Sequence, residues 1–209
     1  MLRIGLTGGF GAGKTTVAAM FKARGARVID ADALGHAVLR HDAACIRAIG
    51  RKFGRELITP RGVDRVKLGK IVFADPAALK DLEKIVHPGL GRLIRKELAG
   101  AAAKNKPVVL DAAILIETGW HKFMDAVIVV KVRRAVQVRR AMARTGLSRA
   151  EVLQRIRRQM PLGKKIEYAA HVIDNSGSAA ATEKHVERIF RSLTNPIRQE
   201  KHHDQRTQE

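Results

Sequence analysis

The chain has 209 residues, of which 45% are hydrophobic and 29% are charged, so it is long enough to bury a core. It contains no apolar run of about 18 residues, which excludes a membrane-spanning helix, and we expect no membrane partner. Its one cysteine, Cys45, excludes an internal disulfide framework. Little sequence precedes the first predicted strand, so we expect no cleavable signal and a cytoplasmic, reducing setting.

The formal net charge of +20 indicates a polyanionic partner. Much of the excess lies in residues 131–165, which contain twelve basic residues and one acid, Glu151, for a net charge of +11. Nucleic acid is the usual first candidate, but aromatic residues make up only 4% and the sequence has no RNA-binding signature. We expect no specific nucleic-acid partner, and nucleic-acid binding stays a weaker alternative.

A glycine-rich loop at residues 8–15 follows the first predicted strand and precedes a helix-forming run. Its glycines allow positive φ and bring backbone N–H groups close to phosphate oxygens, while the helix N-terminus faces the anion. Lys14 is placed to reach the β- and γ-phosphates, and the Thr15 hydroxyl to ligate Mg²⁺. We expect Thr16 to help cap the helix. The loop predicts an ATP site but not what happens to the phosphate.

Short β-branched runs alternate with helical patterns, which predicts a parallel sheet with helices on both faces. The runs are residues 3–6, 27–29, 108–110, 127–130 and 172–173. Ligands of such sheets bind beyond the carboxyl ends of the strands, so the residues that follow the runs should converge. Besides the glycine loop, these residues are Asp30, Asp32, Asp111, Asp174 and Asn175.

Residues 32–105 have a mostly helical pattern that is too long for a normal crossover, and they predict a helical insertion. Asp75-Pro76 indicates a helix start, and His87-Pro88 should break or kink that helix. On chemistry alone, a lone histidine before a proline is more often structural than functional.

The basic segment predicts a helical hairpin, which we call the lid segment (residues 136–165). Ser148 and Glu151 form a predicted capping box that opens its second helix, and Pro161 should end that helix. Arg140 and Arg144, four residues apart, can close over the transferring phosphoryl group and supply positive charge to it.

Three carboxylates are candidates for chemistry or for helix capping. Asp32 follows the second strand, where it can accept the proton of an acceptor hydroxyl. Asp111 ends a run with the pattern of a Walker B element and can hold Mg²⁺ directly or through water. Capping is the alternative role for both residues and also for Asp30. Glu117 is expected to face the same cavity as Asp111.

In their order along residues 1 to about 178, these motifs resemble the dephospho-CoA kinase family. The segments that carry the resemblance are residues 6–15, 28–32, 73–88, 109–111, 115–117, 159–161 and 172–175. The resemblance implies transfer of the ATP γ-phosphate to the ribose 3′-hydroxyl of dephospho-CoA, which gives CoA and ADP in the last step of coenzyme A synthesis. It also implies that Asp32 is the catalytic base and that His87 lies in the substrate pocket.

The predicted fold is an α/β P-loop kinase, with a parallel sheet flanked by helices, a helical substrate-binding insertion and a helical lid. We predict one domain, residues 1–197, with its core at about 1–31, 106–135 and 166–197. The CoA-binding insertion is predicted at about 32–105, the lid at about 136–165, and a disordered tail at 198–209. The nearest alternative is a kinase for another nucleoside or nucleotide on the same scaffold.

The predicted site residues fall into four groups. The catalytic residues are Asp32, Lys14 and Arg140. The residues that bind ATP are Gly9, Gly11, Ala12, Gly13, Lys14, Thr15, Thr16, Arg144 and Asn175. The residues that bind dephospho-CoA are Asp32, His87, Leu115 and Glu117. The Mg²⁺ ligands are Thr15 and Asp111. Apart from these small molecules and the ion, we expect no obligatory protein partner.

Three positions depart from the pattern of the family that the chain resembles. Ala113 stands where proline is usual, Ile116 where phenylalanine is usual, and Phe10 where isoleucine is usual. These departures bear on the shape of the pocket rather than on the type of reaction.

Overall fold

The computed structural model describes residues 1–195. In this part of the chain, one sheet has five strands, in the order β2-β5-β1-β6-β7. Their bounds are β1 (Arg3–Gly8), β2 (Arg27–Asp30), β5 (Val108–Asp111), β6 (Ala126–Lys131) and β7 (His171–Asp174). The pairs β1–β5, β1–β6 and β6–β7 are parallel, which confirms the predicted parallel sheet and the five strand positions.

The contacts between residues divide the chain into two compact units. The sheet unit consists of residues 1–29 and the described residues from 104 onward, and the helical unit is Asp30–Ala103. The helices of the sheet unit are α1 (Lys14–Ala23), α6 (Arg134–Thr145), α7 (Arg149–Arg157), α8 (Leu162–Ile166) and α9 (Ala179–Thr194). The helical unit has α2 (Ala31–His41), α3 (Ala43–Phe53), α4 (Arg65–Ala74) and α5 (Pro76–Ala102), with a small hairpin of β3 (Ile58–Thr59) and β4 (Gly62–Val63).

The core of the sheet unit forms around the central strand β1. Ile4 and Leu6 on β1 are fully buried and pack in one cluster with apolar residues of β5, β6, α1 and α9. Phe21 of α1 and Phe190 of α9 meet edge to face, with their ring centroids 5.9 Å apart. This packing fixes the end of β1 and the start of α1, and so it fixes the glycine loop between them.

The helical unit has its own apolar core, in which Ile49, Leu57 and Leu68 are buried. Asp75 caps α5 through a hydrogen bond from the Ala77 N–H, and Pro76 is the first residue of that helix, as predicted. The sequence predicted a break or a kink at His87-Pro88, and the break is wrong, because α5 continues through Pro88 to Ala102.

The lid segment forms the predicted hairpin from α6 and α7. Ser148 and Glu151 make both hydrogen bonds of a capping box at the start of α7, which confirms that prediction. The predicted end of this helix is wrong, because α7 ends at Arg157 and Pro161 is instead the N-cap of the short helix α8.

Two expectations concern the membrane and the C-terminus. Across residues 1–195, no helix combines the length and the apolar character that crossing a bilayer would need. The predicted tail, residues 198–209, and the predicted domain end at residue 197 lie outside the described residues.

Candidate active site

The glycine loop joins β1 to α1 in a conformation that requires glycine at two positions. Gly11 has φ +76° and Gly13 has φ +86°, a region that side chains with a Cβ rarely adopt. A Cβ on Gly13 would collide with the side chain of Asn175. Gly13 is the N-cap of α1 and no side-chain hydrogen bond caps the start of that helix, so the predicted capping role of Thr16 is wrong. The N-terminal end of α1, with Lys14 and Thr15 in its first turn, follows this loop directly.

Asn175 is buried and supports the glycine loop through its side chain. Its amide Nδ2 donates to the Ala12 carbonyl at 2.9 Å, and its Oδ1 accepts from the Thr182 hydroxyl at 3.0 Å. Arg140 Nη1 donates to the Asn175 carbonyl at 2.7 Å, and Nη2 donates to the Gly177 carbonyl at 3.4 Å. The side chain of Asn175 therefore supports the loop, and Arg140 is attached to the backbone just after β7.

Two glutamines hold the tip of the loop at Phe10. The Phe10 N–H donates to Gln159 Oε1 at 2.7 Å, and the Phe10 carbonyl accepts from Gln137 Nε2 at 2.7 Å. The predicted ATP ligand Arg144 lies over the Phe10 ring, with its Cζ 5.9 Å from the ring centroid. The loop is thus connected to the lid segment through backbone hydrogen bonds and through a side chain.

Asp111 and Thr15 provide oxygen donors that suit Mg²⁺. Asp111 is the last residue of β5 and is partly buried, next to β1 in the sheet, and Thr15 is exposed in the first turn of α1. Mg²⁺ in kinases is usually held by one or two protein oxygens together with phosphate and water oxygens. The residues 1–195 have no group of three or more His, Cys, Asp or Glu side chains that could hold a metal. Asp111 and Thr15 therefore fit a Mg²⁺ site in which phosphate and water supply the other oxygens.

The loop after β5 is held by a buried lysine, Lys165 of α8. Its side chain is 0% exposed, and its Nζ lies 2.7 Å from the Ala113 carbonyl and 2.8 and 3.0 Å from the two Glu117 oxygens. The Thr7 hydroxyl also donates to the Ala113 carbonyl, at 3.3 Å, and the Met160 N–H donates to Glu117 at 3.2 Å. Glu117 therefore joins the loop after β5 to the base of the lid segment.

Leu115, predicted to bind substrate, is fully buried in the sheet unit. A Cβ on Gly5 would lie 2.6 Å from its Cδ2, so the Leu115 side chain packs directly against the backbone of β1. Its backbone is also bonded within the protein, since the Leu115 N–H donates to the Ala112 carbonyl at 3.4 Å and its carbonyl accepts from the His121 N–H at 3.3 Å.

Asp32, His87 and Asp30 are described within the helical unit. Asp30 is the N-cap of α2 and accepts from the Ala33 N–H at 3.0 Å, so its capping role is confirmed. Asp32 lies exposed in the first turn of α2, and His87 is partly buried on α5. Burial lowers the pKa of the nearby His36, and the Arg65 guanidinium lowers it further, against the opposing charge of Asp32. The protonated, cationic form of His36 is therefore less favoured than in a free imidazole.

Sequence reasoning assigned no role to Gln137 or Lys165. For Gln137 the sequence offers one weak signal, since it is an uncharged polar residue in an arginine-rich helix. In the structure Gln137 is buried, and so is Ala141, four positions later. Lys165 carried none, since it follows another lysine in a segment that is basic throughout. Gln159 was noted only as part of a motif, without its contact to Phe10.

The glycine loop after the central strand, the aspartate that ends the neighbouring strand and the basic helical hairpin together define a P-loop kinase. A model of one family of such kinases, described as "Dephospho-CoA kinase", matches residues 2–181. The chain belongs to the dephospho-CoA kinase family.

Individual relatives agree with this assignment over nearly the whole chain. The chain is 44% identical to a dephospho-CoA kinase of Geobacter sulfurreducens, over 90% of this chain and 96% of that protein. It is 42% identical to one of Anaeromyxobacter dehalogenans, over 91% of each protein. A crystal structure from Thermus thermophilus is 38% identical, with a TM-score of 0.78 over 92% of this chain and 97% of that one.

Proposed function

We propose that this chain transfers the γ-phosphate of ATP to the ribose 3′-hydroxyl of dephospho-CoA, giving CoA and ADP. The observation that carries the proposal is the glycine loop, which is braced by Asn175 and tied to the lid segment at Phe10, in a chain of this family. In the transfer, the 3′-oxygen forms a bond to the γ-phosphorus as the bond to the β,γ-bridging oxygen breaks, and ADP leaves with that oxygen.

The residues of the loop bind and orient the phosphates. Backbone N–H groups of Gly11 and Gly13 and the N-terminal end of α1 face the anion, and Lys14 reaches the β- and γ-phosphates. Ala12 shapes the loop, because its N–H is bonded to the Gly9 carbonyl at 3.0 Å. Gly9, Thr15 and Thr16 complete this set. Thr15 and Asp111 would hold Mg²⁺. When bound, the ion neutralises charge on the phosphates.

Asp32 receives the proton of the 3′-hydroxyl in this proposal. Asp30 is the cap of α2, and Asp32, two residues later, presents an exposed carboxylate on the first turn. A carboxylate in this position can accept a hydrogen bond from the hydroxyl and take its proton as the new bond forms.

The lid arginines supply positive charge in this proposal. Arg140 uses two donors on the Asn175 and Gly177 carbonyls, but a guanidinium has five N–H donors, so these bonds do not exhaust it. We assign Arg140 to the transferring phosphoryl group and Arg144 to ATP. Asn175 serves ATP through the loop that it braces.

The remaining residues that we assign to dephospho-CoA are His87, Glu117 and Leu115. Residues 32–105 form the part of the chain that binds CoA. His87 is partly buried within the helical unit, where it can donate or accept a hydrogen bond. Glu117 is fixed by Lys165, with its side chain 24% exposed, so a substrate would meet a carboxylate of set orientation. Leu115, which has no exposed surface, would support the substrate site indirectly by packing against β1.

The direct test is to incubate the protein with MgATP and dephospho-CoA and to measure CoA by mass spectrometry. We expect CoA and ADP in equal amounts. A thermal-shift panel with dephospho-CoA, nucleosides and nucleoside monophosphates is the control for the rival kinase activities. Stabilisation by a monophosphate, with no turnover of dephospho-CoA, would contradict the proposal.

A further inference from the structure

Phe10 occupies an unusual position in the glycine loop, because both of its backbone polar groups are bonded to side chains outside the loop. Gln159 accepts from its N–H and Gln137 donates to its carbonyl, each at 2.7 Å. The Phe10 N–H is therefore engaged by the protein, unlike an amide that is free to cradle a phosphate. What Phe10 offers to the nucleotide site must come from its ring.

The ring of Phe10 lies among the apolar residues of the lid segment. It packs against the buried cluster of Val138, Ala141 and Val152, which joins α6 to α7. The two backbone hydrogen bonds and this packing together fix the direction of the ring. Phe10 is thus a residue of the glycine loop whose side chain belongs to the hydrophobic core of the lid.

Two guanidinium groups lie against this one ring. Arg144 of α6 has its Cζ 5.9 Å from the ring centroid, and Arg155 of α7 has its Cζ 5.6 Å from it. Both distances are within the range of a cation–π attraction. Two positive charges that share one ring repel each other, and a bound polyanion relieves that repulsion. The site beside the loop tip is therefore complementary to an anion.

We propose that Phe10 is a positioning residue whose ring holds the guanidinium groups of Arg144 and Arg155 beside the phosphate-binding loop, ready for the phosphates of ATP. The inference rests on the proposed function, which places ATP in that loop, and it adds Arg155 to the residues that meet the nucleotide. An arginine that is already oriented loses less conformational entropy on binding than a freely rotating one. We therefore expect the loss of the ring to lower the affinity for MgATP by about 3- to 10-fold.

The test measures the dissociation constant of MgATP by calorimetry, without an acceptor, for a set of single variants. Phe10→Leu keeps an apolar side chain but removes the π face, and we expect MgATP to bind about 3- to 10-fold more weakly. Phe10→Tyr keeps the π face and should bind within about twofold of the unchanged protein. Arg139→Gln is the matched charge control, because Arg139 is exposed on the same helix as Arg144, and it should also stay within about twofold.

The double variant separates positioning from a general effect on structure. Arg155→Gln should weaken MgATP binding in the unchanged protein but should cost clearly less in the Phe10→Leu background, because the ring no longer orients that arginine. Additive losses would overturn the proposal, and so would a Phe10→Tyr variant as weak as Phe10→Leu. If Phe10→Leu does not fold, Arg144→Gln and Arg155→Gln decide alone, and affinities equal to that of Arg139→Gln would overturn it.

The outcome is distinguishable from a failure of the proposed function. If the unchanged protein does not bind MgATP, the nucleotide site itself is contradicted. If it binds MgATP but does not phosphorylate dephospho-CoA, the acceptor is wrong, while the comparison of Phe10 and Arg155 variants still gives its answer.

Discussion

Lys165 is a lysine with a fully buried side chain, held by one carboxylate and one backbone carbonyl. Burying a charge is costly unless it is paired and hydrogen-bonded, and both conditions are met here. Because the cost of burying the charge offsets much of what the pairing gains, we infer that Lys165 mainly fixes the positions of the groups that it bonds. It sets where the loop after β5 stands relative to the base of the lid segment, and both belong to the proposed site.

We expect Lys165→Met to lower the free energy of unfolding by about 1–3 kcal/mol, since Glu117 and the Ala113 carbonyl lose their charged donor and keep only the Met160 N–H and the Thr7 hydroxyl. The neighbouring Lys164 is the control, because its side chain is 66% exposed and its ion pair with Glu167 is on the surface. Lys164→Met should change stability by less than about 0.5 kcal/mol. Denaturant unfolding of both variants measures this, and equal effects would show that the buried pair is not special.

Asp32 and Asp30 offer a matched pair for the base assignment. We expect Asp32→Asn to lower kcat by roughly 10²–10⁴, because an amide cannot accept the hydroxyl proton. MgATP binding should be retained. Asp30→Asn should keep near-normal turnover, since asparagine caps a helix as well as aspartate does. Steady-state kinetics with a calorimetric check of MgATP binding tests both, and near-normal turnover of Asp32→Asn would refute its role as the base.

At the scale of elements, Asp42 fixes the start of α3 and also links that helix to α5. Its carboxylate accepts from the Cys45 N–H at 3.0 Å and pairs with Arg92 at 2.6 Å. The hydrogen bond from Cys45 is the main cause that lowers the pKa of Asp42, and Arg92 lowers it further. A carboxylate with a lowered pKa in the folded state stabilises the protein above the unfolded pKa, and this contribution is lost as the pH falls through the folded value.

We therefore expect Asp42→Asn, which keeps the cap but loses the charge, to be less stable than the unchanged protein by about 0.5–1.5 kcal/mol at pH 7. The difference should shrink as the pH falls below about 4 and vanish once Asp42 is protonated. Denaturant unfolding at several pH values measures it. A difference that stays constant down to acid pH would show that the charge of Asp42 plays no part.

Elements whose signals are local could be predicted from the sequence. The strands, the capping box at Ser148 and the start of α5 at Asp75 are each specified by a few neighbouring residues. The helix through Pro88 could not be predicted, because residues on both sides of the proline, such as Ile85 and Leu90, pack into one apolar cluster. Pro88 itself is exposed. The packing of its neighbours outweighs the local cost of a proline in a helix.

The candidate site divides in the same way. The glycine loop, Asp32 and Asp111 were predicted as site residues because their residue types and their positions after strands indicate the chemistry directly. The supports of the site, Gln137 and Lys165, were missed because their partners are distant in sequence: Gln137 reaches Phe10, and Lys165 reaches Ala113. No pattern of neighbours indicates such pairs, which exist only once the sheet has formed.

At the scale of the whole molecule, Cys45 is a natural probe for opening of the helical unit. Its side chain is buried in the core of that unit, and burial raises the pKa of the thiol to about 11. At pH 8 only on the order of 10⁻³ of the thiol is ionised in the folded protein. We expect labelling by a disulfide reagent to be at least about 100-fold slower in the folded protein than in denaturant.

The measurement is the rate of release of the coloured thiolate from the reagent, with Cys45→Ser as the control for background. In the folded protein the rate should rise with added denaturant below the unfolding transition, as the helical unit opens more often. Labelling of the folded protein at the rate of a free thiol would contradict both the burial and the raised pKa of Cys45.

The brace on the glycine loop has a consequence for the order in which the protein is made. Residues 8–15 emerge from the ribosome before Asn175, which donates to the Ala12 carbonyl, and before Thr182, which donates to Asn175. A nascent chain that stops before residue 175 carries the motif without its support. ATP stabilises the folded state by binding to it, so we expect ATP to stabilise complete molecules more than partly synthesised ones.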